Sequence, residues 1–376
     1  MALQGRPDMF ATKLVGLILV IILSIGWVYI FSKKQKIKNF INFLFSMLRK
    51  EIGYEARKIL FGKDRGVKKE VITGYATSFD GTQIWFRKVS PIKKEEKIPP
   101  LVLSNGIGTT IRYWRYVEDY ISDITDVVVW DYRGHGRSGS PKSEDVSMSA
   151  LAKDMKAVCD EVGIKGGVFG GFSMGVQVIL EFFRLFPDMV RGLIPALGPY
   201  ENPAKYFLDF PLTEILLKIT AKLVFLNPQR AQKIWSKLMT ISFAFKLGKT
   251  VGLISERFFF LNPILAHADD FTEYFENLRK MDITLFFKMA LESQAHSAED
   301  VLPKINVPTL VIIGENDIFT PKYVQLRMAE KIKNSEVLIL PKGSHGGLVE
   351  HAELVCLRIE KFLKDHFSNQ PDGAKQ

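Results

Sequence analysis

Cysteine is scarce: Cys159 and Cys356 are the only two in 376 residues. Both fall in apolar helical patterns, so they read as small buried hydrophobes in a reducing compartment, and a disulfide framework is excluded. Metal-ligand spacings are missing too. There is no His-Glu-x-x-His, no Cys-x-x-Cys, and no Walker-type glycine-rich loop. The expected chemistry therefore needs no metal and no cofactor. Internal repeats are also lacking.

Acidic residues are outnumbered, 41 against 51 basic ones, for a formal net charge of +10. Such an excess suits either nucleic acid or an anionic surface. Here it is spread over many lysines beside hydrophobic residues, without an RNA- or DNA-binding motif. That points to membrane lipid headgroups and away from nucleic acid. No feature calls for an obligate protein partner.

What the chain does have is Gly171-Phe172-Ser173-Met174-Gly175, placed directly after a short apolar run and before an apolar helical one. Gly-x-Ser-x-Gly makes chemical sense where a strand turns sharply into a helix and pushes the serine hydroxyl clear of a sheet. The glycines remove side chains that would collide across the corner. The bland alternative, a glycine-rich turn that happens to hold a serine, loses ground because both flanking elements are present.

A serine nucleophile needs a base and an orienting acid. Pro308–Gly314 is an apolar, β-branched run that reads as a buried strand, followed by Glu315-Asn316-Asp317. An acid at the carboxyl end of a parallel strand is well placed to meet a neighbouring loop. Asp317 lies deeper in that loop than its competitor Glu315. The next strand, Glu336–Leu340, runs into Pro341-Lys-Gly-Ser-His345-Gly-Gly347, a histidine between glycines just before the final helix. His351 is the nearest rival, but it falls within the helical pattern starting near Leu348. The chain order Ser173, Asp317, His345 is the order expected of one fold in particular. After the strand Leu101–Leu103, the loop Ser104-Asn105-Gly106-Ile107-Gly108 can offer a backbone N–H to an oxyanion. The expected donors are Ile107 and the residue after the nucleophile, Met174.

These residues together resemble the α/β-hydrolase superfamily, over roughly residues 70–366. Asp131-Tyr-Arg-Gly-His-Gly-Arg-Ser138 is similar to the loop after the fourth strand in many lipase-like members. That likeness implies a structural role for Arg133 and His135. One departure stands out: members commonly carry His-Gly at the oxyanion loop, where this chain has Asn105-Gly106. Relatives that cleave epoxides or carbon–halogen bonds use an aspartate at the elbow, so Ser173 argues for acyl transfer instead. The implied fold is α/β, a mostly parallel sheet with helices on both faces and a helical cap, preceded by a transmembrane helix.

That preceding helix is read from Leu14–Phe31, an uncharged apolar run near the length of a bilayer's hydrocarbon core. Trp27, Tyr29 and Phe31 cluster at its far end, and Lys33, Lys34, Lys36 and Lys38 follow where a signal peptide would carry a cleavage site. The charge asymmetry predicts a single-pass anchor with the catalytic domain cytoplasmic. The expected segments are 1–32 as anchor and 33–69 as a basic amphipathic stretch that lies on the membrane or packs on the body. A hydrolase core follows at 70–200 and 301–366, interrupted by a cap at 201–300, and a polar tail closes the chain at 367–376. Helical periodicity in the cap covers Leu212–Leu226, Ala231–Leu247, Leu253–Leu261 and Phe271–Leu291. Its many phenylalanines partly pack its own core and partly predict an apolar channel.

The expected activity is hydrolysis of a lipophilic carboxylic ester, as in a lipase or monoacylglycerol lipase. An acyltransferase or thioesterase would use the same serine. The His-x-x-x-x-Asp acyltransferase signature is missing, because Val349 and Glu350 are the fourth and fifth residues after His345. A catalytically silent binding scaffold is the third reading, and the filled triad positions count against it.

Overall fold

The computed structural model describes residues 66–94, 97–207, 210, 212–247 and 276–368, with side chains of 241–247 excepted. The chain divides into two compact units, Met1–Leu60 and Phe61–Gln376, and every described residue belongs to the second. The anchor at Leu14–Phe31, the basic stretch after it, the segment Leu253–Leu261 and most of the polar tail lie outside the described residues. Among the described residues no helix is long and apolar enough to cross a membrane.

Eight strands form one sheet in the order β1-β2-β4-β3-β5-β6-β7-β8. They are β1 (Lys69–Thr77), β2 (Gln83–Pro91), β3 (Leu101–Ser104), β4 (Val127–Trp130), β5 (Gly167–Phe172), β6 (Val190–Ala196), β7 (Thr309–Gly314) and β8 (Ser335–Leu340). β2 pairs antiparallel with both β1 and β4, and every later pairing is parallel. The central strands have no polar alternation because both faces are covered, as parallel sheets require. In β4, Val128 and Trp130 enter one core layer while Val127 and Val129 enter the other; β7 divides the same way, Val311 and Ile313 against Leu310 and Ile312. The edge strand β1 lacks such a run, and four of its nine residues in succession, Glu70–Thr73, are exposed, whereas β2 still sends Ile84 and Phe86 into one layer and Trp85 into the other.

Helices cover each face. α1 (Arg115–Ile121) follows β3, and α2 (Met148–Glu161) and α3 (Met174–Leu185) flank β5. α2 begins where the Ser147 side chain accepts the Ala150 N–H, an N-cap that satisfies one of the free amides of the first turn. Between β6 and β7 the chain inserts α4 (Thr213–Leu226), α5 (Pro228–Leu247) and α6 (Ile283–Ala295). The described part of Phe271–Leu291, where helical periodicity is expected, is helical on both sides of one interruption. The helical backbone breaks at Asp282, whose carboxylate accepts the Thr284 and Leu285 N–H groups and starts α6 afresh. An aspartate competes with helical continuity in this way more readily than it sits inside a helix. After β7 come α7 (Lys322–Lys331), then α8 (Gly347–Glu350) and α9 (Ala352–Leu363), with His351 half-buried at the junction of the last two.

The order of strands has a consequence for chemistry. From β3 the chain crosses to β4 on one side, whereas β5 leads to β6 on the other. The loops after β3 and β5 therefore part at the carboxyl edge of adjacent strands, and the crevice they leave is where open α/β sheets bind ligands.

Candidate active site

Ser173 sits in that crevice. Its backbone is held at φ 55°, ψ −120°, a left-handed conformation that a non-glycine residue adopts only under constraint. The constraint is close packing. A Cβ on Gly171 would collide with the Gly175 carbonyl, and one on Gly175 would come within 2.7 Å of the Ser104 and Asn105 carbonyl oxygens. Gly198, at the end of β6, is just as confined, since a side chain there would strike the Ser173 carbonyl. The Ser173 N–H donates to the Ala196 carbonyl at 3.0 Å, which fastens the corner to β6.

The structure brings the three polar residues together from three strand ends. Ser173 Oγ lies 3.0 Å from His345 Nε2, and His345 Nδ1 lies 2.9 Å from Asp317 Oδ2. Asp317 is buried, and its other oxygen accepts the Phe319 and Thr320 N–H groups at 2.9 and 3.0 Å. Those bonds fix the carboxylate, so the proton between it and His345 resides on Nδ1 and leaves Nε2 as the acceptor for the serine hydroxyl. Glu315, the rival acid, is exposed and accepts the Lys342 N–H at 2.7 Å. His351 packs beside Gly343, away from the serine.

The histidine loop is clamped on every side. Phe319 stacks on the imidazole at 4.7 Å between centroids, Phe172 leans on it at 5.1 Å, and the Tyr113 hydroxyl donates to the His345 carbonyl at 3.2 Å. Just behind, the buried Glu350 carboxylate accepts from the Ser344 N–H at 2.8 Å and from the Ser344 hydroxyl at 2.5 Å. Nothing in the sequence pointed to Glu350 as a brace, because its partner is a main-chain amide on the far side of a turn.

The loop after β3 runs against the serine: a Cβ on Gly106 would lie 3.1 Å from Ser173 Cβ. Ile107 follows at once. Met174 opens α3, and the first amides of a helix have no acceptor within it. The segment after β4 props this loop at several points. The Asn105 side chain donates to the Trp130 carbonyl at 2.7 Å, and the Tyr132 hydroxyl donates to the Asn105 carbonyl. The Gly108 N–H donates to His135 Nε2 at 3.1 Å, and the Ile111 N–H to Asp131 Oδ1 at 3.2 Å. His135 is fully buried, and that burial pushes its pKa down to about 4 against a small opposing pull from the Arg133 carbonyl. It is therefore neutral, with Nδ1–H turned to Arg133 O and Nε2 free to accept. Asn105, the departure at the oxyanion loop, thus ties β3 to the end of β4.

Above the crevice lies the insertion. Gly108 faces Leu278 and Phe286, and Gly134 faces Leu285. Cys159 is not a competing nucleophile, since burial pushes its thiol up to about 12. Among the described residues no group of acidic, histidine and cysteine side chains could hold a metal ion.

Comparison with known proteins places this arrangement. The description of the α/β hydrolase fold matches residues 99–352, and the chain belongs to that family. It is 27% identical over 259 residues to a putative carbamate hydrolase, RutD, of Pseudomonas savastanoi, covering 66% of this chain and 86% of that one. It is 26% identical over 279 residues to human protein ABHD8, covering 74% of this chain but only 58% of the relative. Among solved structures, an esterase from Exiguobacterium antarcticum superposes with a TM-score of 0.60 at 19% identity, over 78% of this chain and all of that one. An enol-lactonase from Burkholderia xenovorans gives the same TM-score and identity over 77% and 99%. These structures share the fold, and their names concern their own substrates.

Proposed function

We propose that this protein is a serine hydrolase that cleaves a lipophilic carboxylic ester. The single observation that carries the reading is the hydrogen-bonded relay from Ser173 Oγ through His345 to Asp317, at 3.0 and 2.9 Å. His345 Nε2 takes the hydroxyl proton as Ser173 Oγ attacks the carbonyl carbon. The imidazolium so formed is stabilised by Asp317 and then protonates the leaving alcohol. Water, activated by the same nitrogen, releases the acid and restores Ser173. The Ile107 and Met174 amides would receive the oxyanion, Met174 because it starts a helix and Ile107 because its loop abuts the serine.

A lipophilic substrate is favoured by what stands around the serine. Phe172 and Phe319 against the His345 ring, and Leu278 and Phe286 over Gly108, offer apolar walls. The membrane anchor read from Leu14–Phe31, with the hydrolase domain on the cytoplasmic side, belongs to the same proposal. So does the partition into core segments 70–200 and 301–366 with a cap at 201–300.

A fluorophosphonate probe tests the nucleophile. Purified protein should gain one adduct, mapped by mass spectrometry to Ser173 and absent from Ser173→Ala. A panel of water-soluble esters, carbamates and monoacylglycerols should then be cleaved best among the long-chain esters. An adduct elsewhere, or an unaltered rate in Ser173→Ala, would overturn the mechanism. Preference for short carbamates would overturn the substrate class alone.

A further inference from the structure

α4 is apolar on two sides but buried on one. Leu217, Ala221 and Val224 pack inward against Ile283 and Phe287 of α6. The opposite side carries Leu212, Ile215, Leu216, Ile219, Leu223 and Leu226, each at least half exposed, Leu223 at 62% and Leu226 at 72%. Leu212, Leu216, Ile219, Leu223 and Leu226 recur at intervals of four and three, so they form one stripe along the helix. A water-facing stripe of this length has no stabilising role in the fold itself. Soluble proteins expose single apolar residues freely, but a contiguous row marks a contact surface.

The charges around the stripe identify the contact. From Leu212 to Thr240 there are five basic residues, Lys218, Lys222, Arg230, Lys233 and Lys237, against a single acid, Glu214. Glu214 is already paired with Lys218 at 2.9 Å. Among the described residues Lys222, Arg230, Lys233 and Lys237 meet no carboxylate, and all four are exposed, as is Ile234 of α5 beside them. Beside the stripe a groove of about 350 Å³ joins Lys218 and Lys222 to Phe225, Leu226 and Leu291.

We propose that the outer face of α4 and α5 docks on a bilayer surface rich in anionic lipid, with the leucine stripe entering the acyl boundary and the cations meeting headgroups. An apolar row flanked by lysines is the pattern of a helix that lies in the interface plane. A second copy of this face would bring like charges together in a two-fold contact, which disfavours self-association. Through α6, whose Leu285 and Phe286 stand over Gly134 and Gly108, the docked face lies one helix layer above the serine crevice. A lipid leaving the bilayer would therefore meet the insertion first. This inference goes beyond the ester-hydrolase reading and does not require Ser173 to be the nucleophile.

The test uses the full-length chain reconstituted into vesicles, with an environment-sensitive fluorophore on Leu223→Cys. Native Cys159 and Cys356 are buried and leave the new thiol as the accessible one among the described residues. A control probe goes on exposed Glu161→Cys of α2. In vesicles containing about a third phosphatidylserine, the Leu223 probe should shift to the blue and brighten several-fold, while the control stays unmoved. In pure phosphatidylcholine the effect should be weaker. Lys222→Glu combined with Lys233→Glu should raise the anionic lipid fraction needed, with affinity for the surface falling by more than about tenfold, since each lysine near such a surface contributes roughly fivefold.

An unmoved Leu223 probe in anionic vesicles would overturn the proposal. So would a blue shift that depends on protein concentration and not on lipid, which would assign the face to a second copy. A response to soluble polyglutamate equal to that to vesicles would assign it to an acidic protein. Fluorophosphonate labelling of Ser173 in the same samples separates the two readings: labelling with an unmoved probe removes the docking face alone, and a shifted probe without labelling removes the hydrolase mechanism alone.

Discussion

The carboxyl edge of the sheet and the helical insertion above it are built on opposite terms. At the edge, backbone approaches backbone so closely that Gly171, Gly175 and Gly198 each leave no room for a single added carbon. In the insertion, α4 turns Ile215, Leu216, Ile219, Leu223, Phe225 and Leu226 outward. The edge confines Ser173 between neighbouring backbones, with strain at φ 55° that the surrounding packing sustains. The insertion fixes little beyond its inner face. On the functions proposed above, geometry for bond-making and adaptability toward a lipid surface fall to different parts of one domain, and substitutions should distinguish them.

The largest effects belong to the relay. Ser173→Ala should lower kcat by on the order of 10⁴ or more with the fold intact, because only oxyanion and binding contributions remain. Circular dichroism and ester turnover on one preparation check both halves of that statement. Asp317→Asn should come close behind, a loss of about 10⁴, since the amide favours the wrong imidazole tautomer. Glu315→Gln should change turnover less than about threefold, its exposed carboxylate only steadying the Lys342 amide. Comparable losses from both acid variants would mean that the loop as a whole, and no one carboxylate, orients His345.

Gly198→Ala sharpens the comparison from the packing side. Its methyl group would collide with the Ser173 carbonyl, and main chain cannot swing aside as a flexible side chain does. The elbow should shift, and stability should fall by about 1–3 kcal/mol. Turnover should drop further than the stability loss explains. Thermal melting beside fluorophosphonate labelling rate gives the two numbers, and an unchanged labelling rate would show that the corner is less confined than its contacts imply.

His135 joins packing to electrostatics. Leucine there would leave the buried Gly108 amide unpaired, at a cost of about 1–3 kcal/mol, and should reduce kcat about tenfold to a hundredfold with KM little altered. Glutamine, whose carbonyl can accept the same N–H, should restore much of the rate. Acid sensitivity gives a second measure. The folded pKa of about 4 lies below the ordinary 6.5, so the unfolded chain binds more protons between those values. Stability is then fully present above pH 6.5 and is lost as pH falls toward 4, a contribution on the order of 3 kcal/mol. His135→Gln should flatten that part of the stability profile.

How much of this was legible in the sequence follows from the range of the interactions. Ser173, Asp317 and His345 each lie in the turn or loop that follows an apolar run, so strand and loop could be read together and the strand order supplied the rest. The proposal of Ile107 and Met174 as donors rests on their neighbours in the chain. Gly198, Glu350 and the His135–Gly108 bond gave no such signal. Each acts on backbone brought near by the fold, and the loops after β3 and β4 meet only because those strands are neighbours in the sheet. The edge strand β1 escaped for another reason: half-exposed at the end of the sheet, it carries no continuous hydrophobic stretch. At Asp282 local capping overrode periodicity, which continued across the break.

The smallest effect is expected where the molecule exposes most hydrocarbon. Leu223→Ser on the outer face of α4 should alter stability by no more than about 0.5 kcal/mol, because the side chain is 62% exposed and deleting it opens no cavity. Val224→Ala, one position along and 7% exposed against Phe287 and Ile283, should cost about 1–3 kcal/mol through lost burial and the void left behind. Urea melts of both variants measure the difference. A destabilising Leu223→Ser would mean that the stripe is covered within the monomer, leaving no face to offer a membrane. Near-neutral stability, combined with loss of the lipid-dependent probe response, would separate the two sides of a single helix, one holding the fold and the other facing its surroundings.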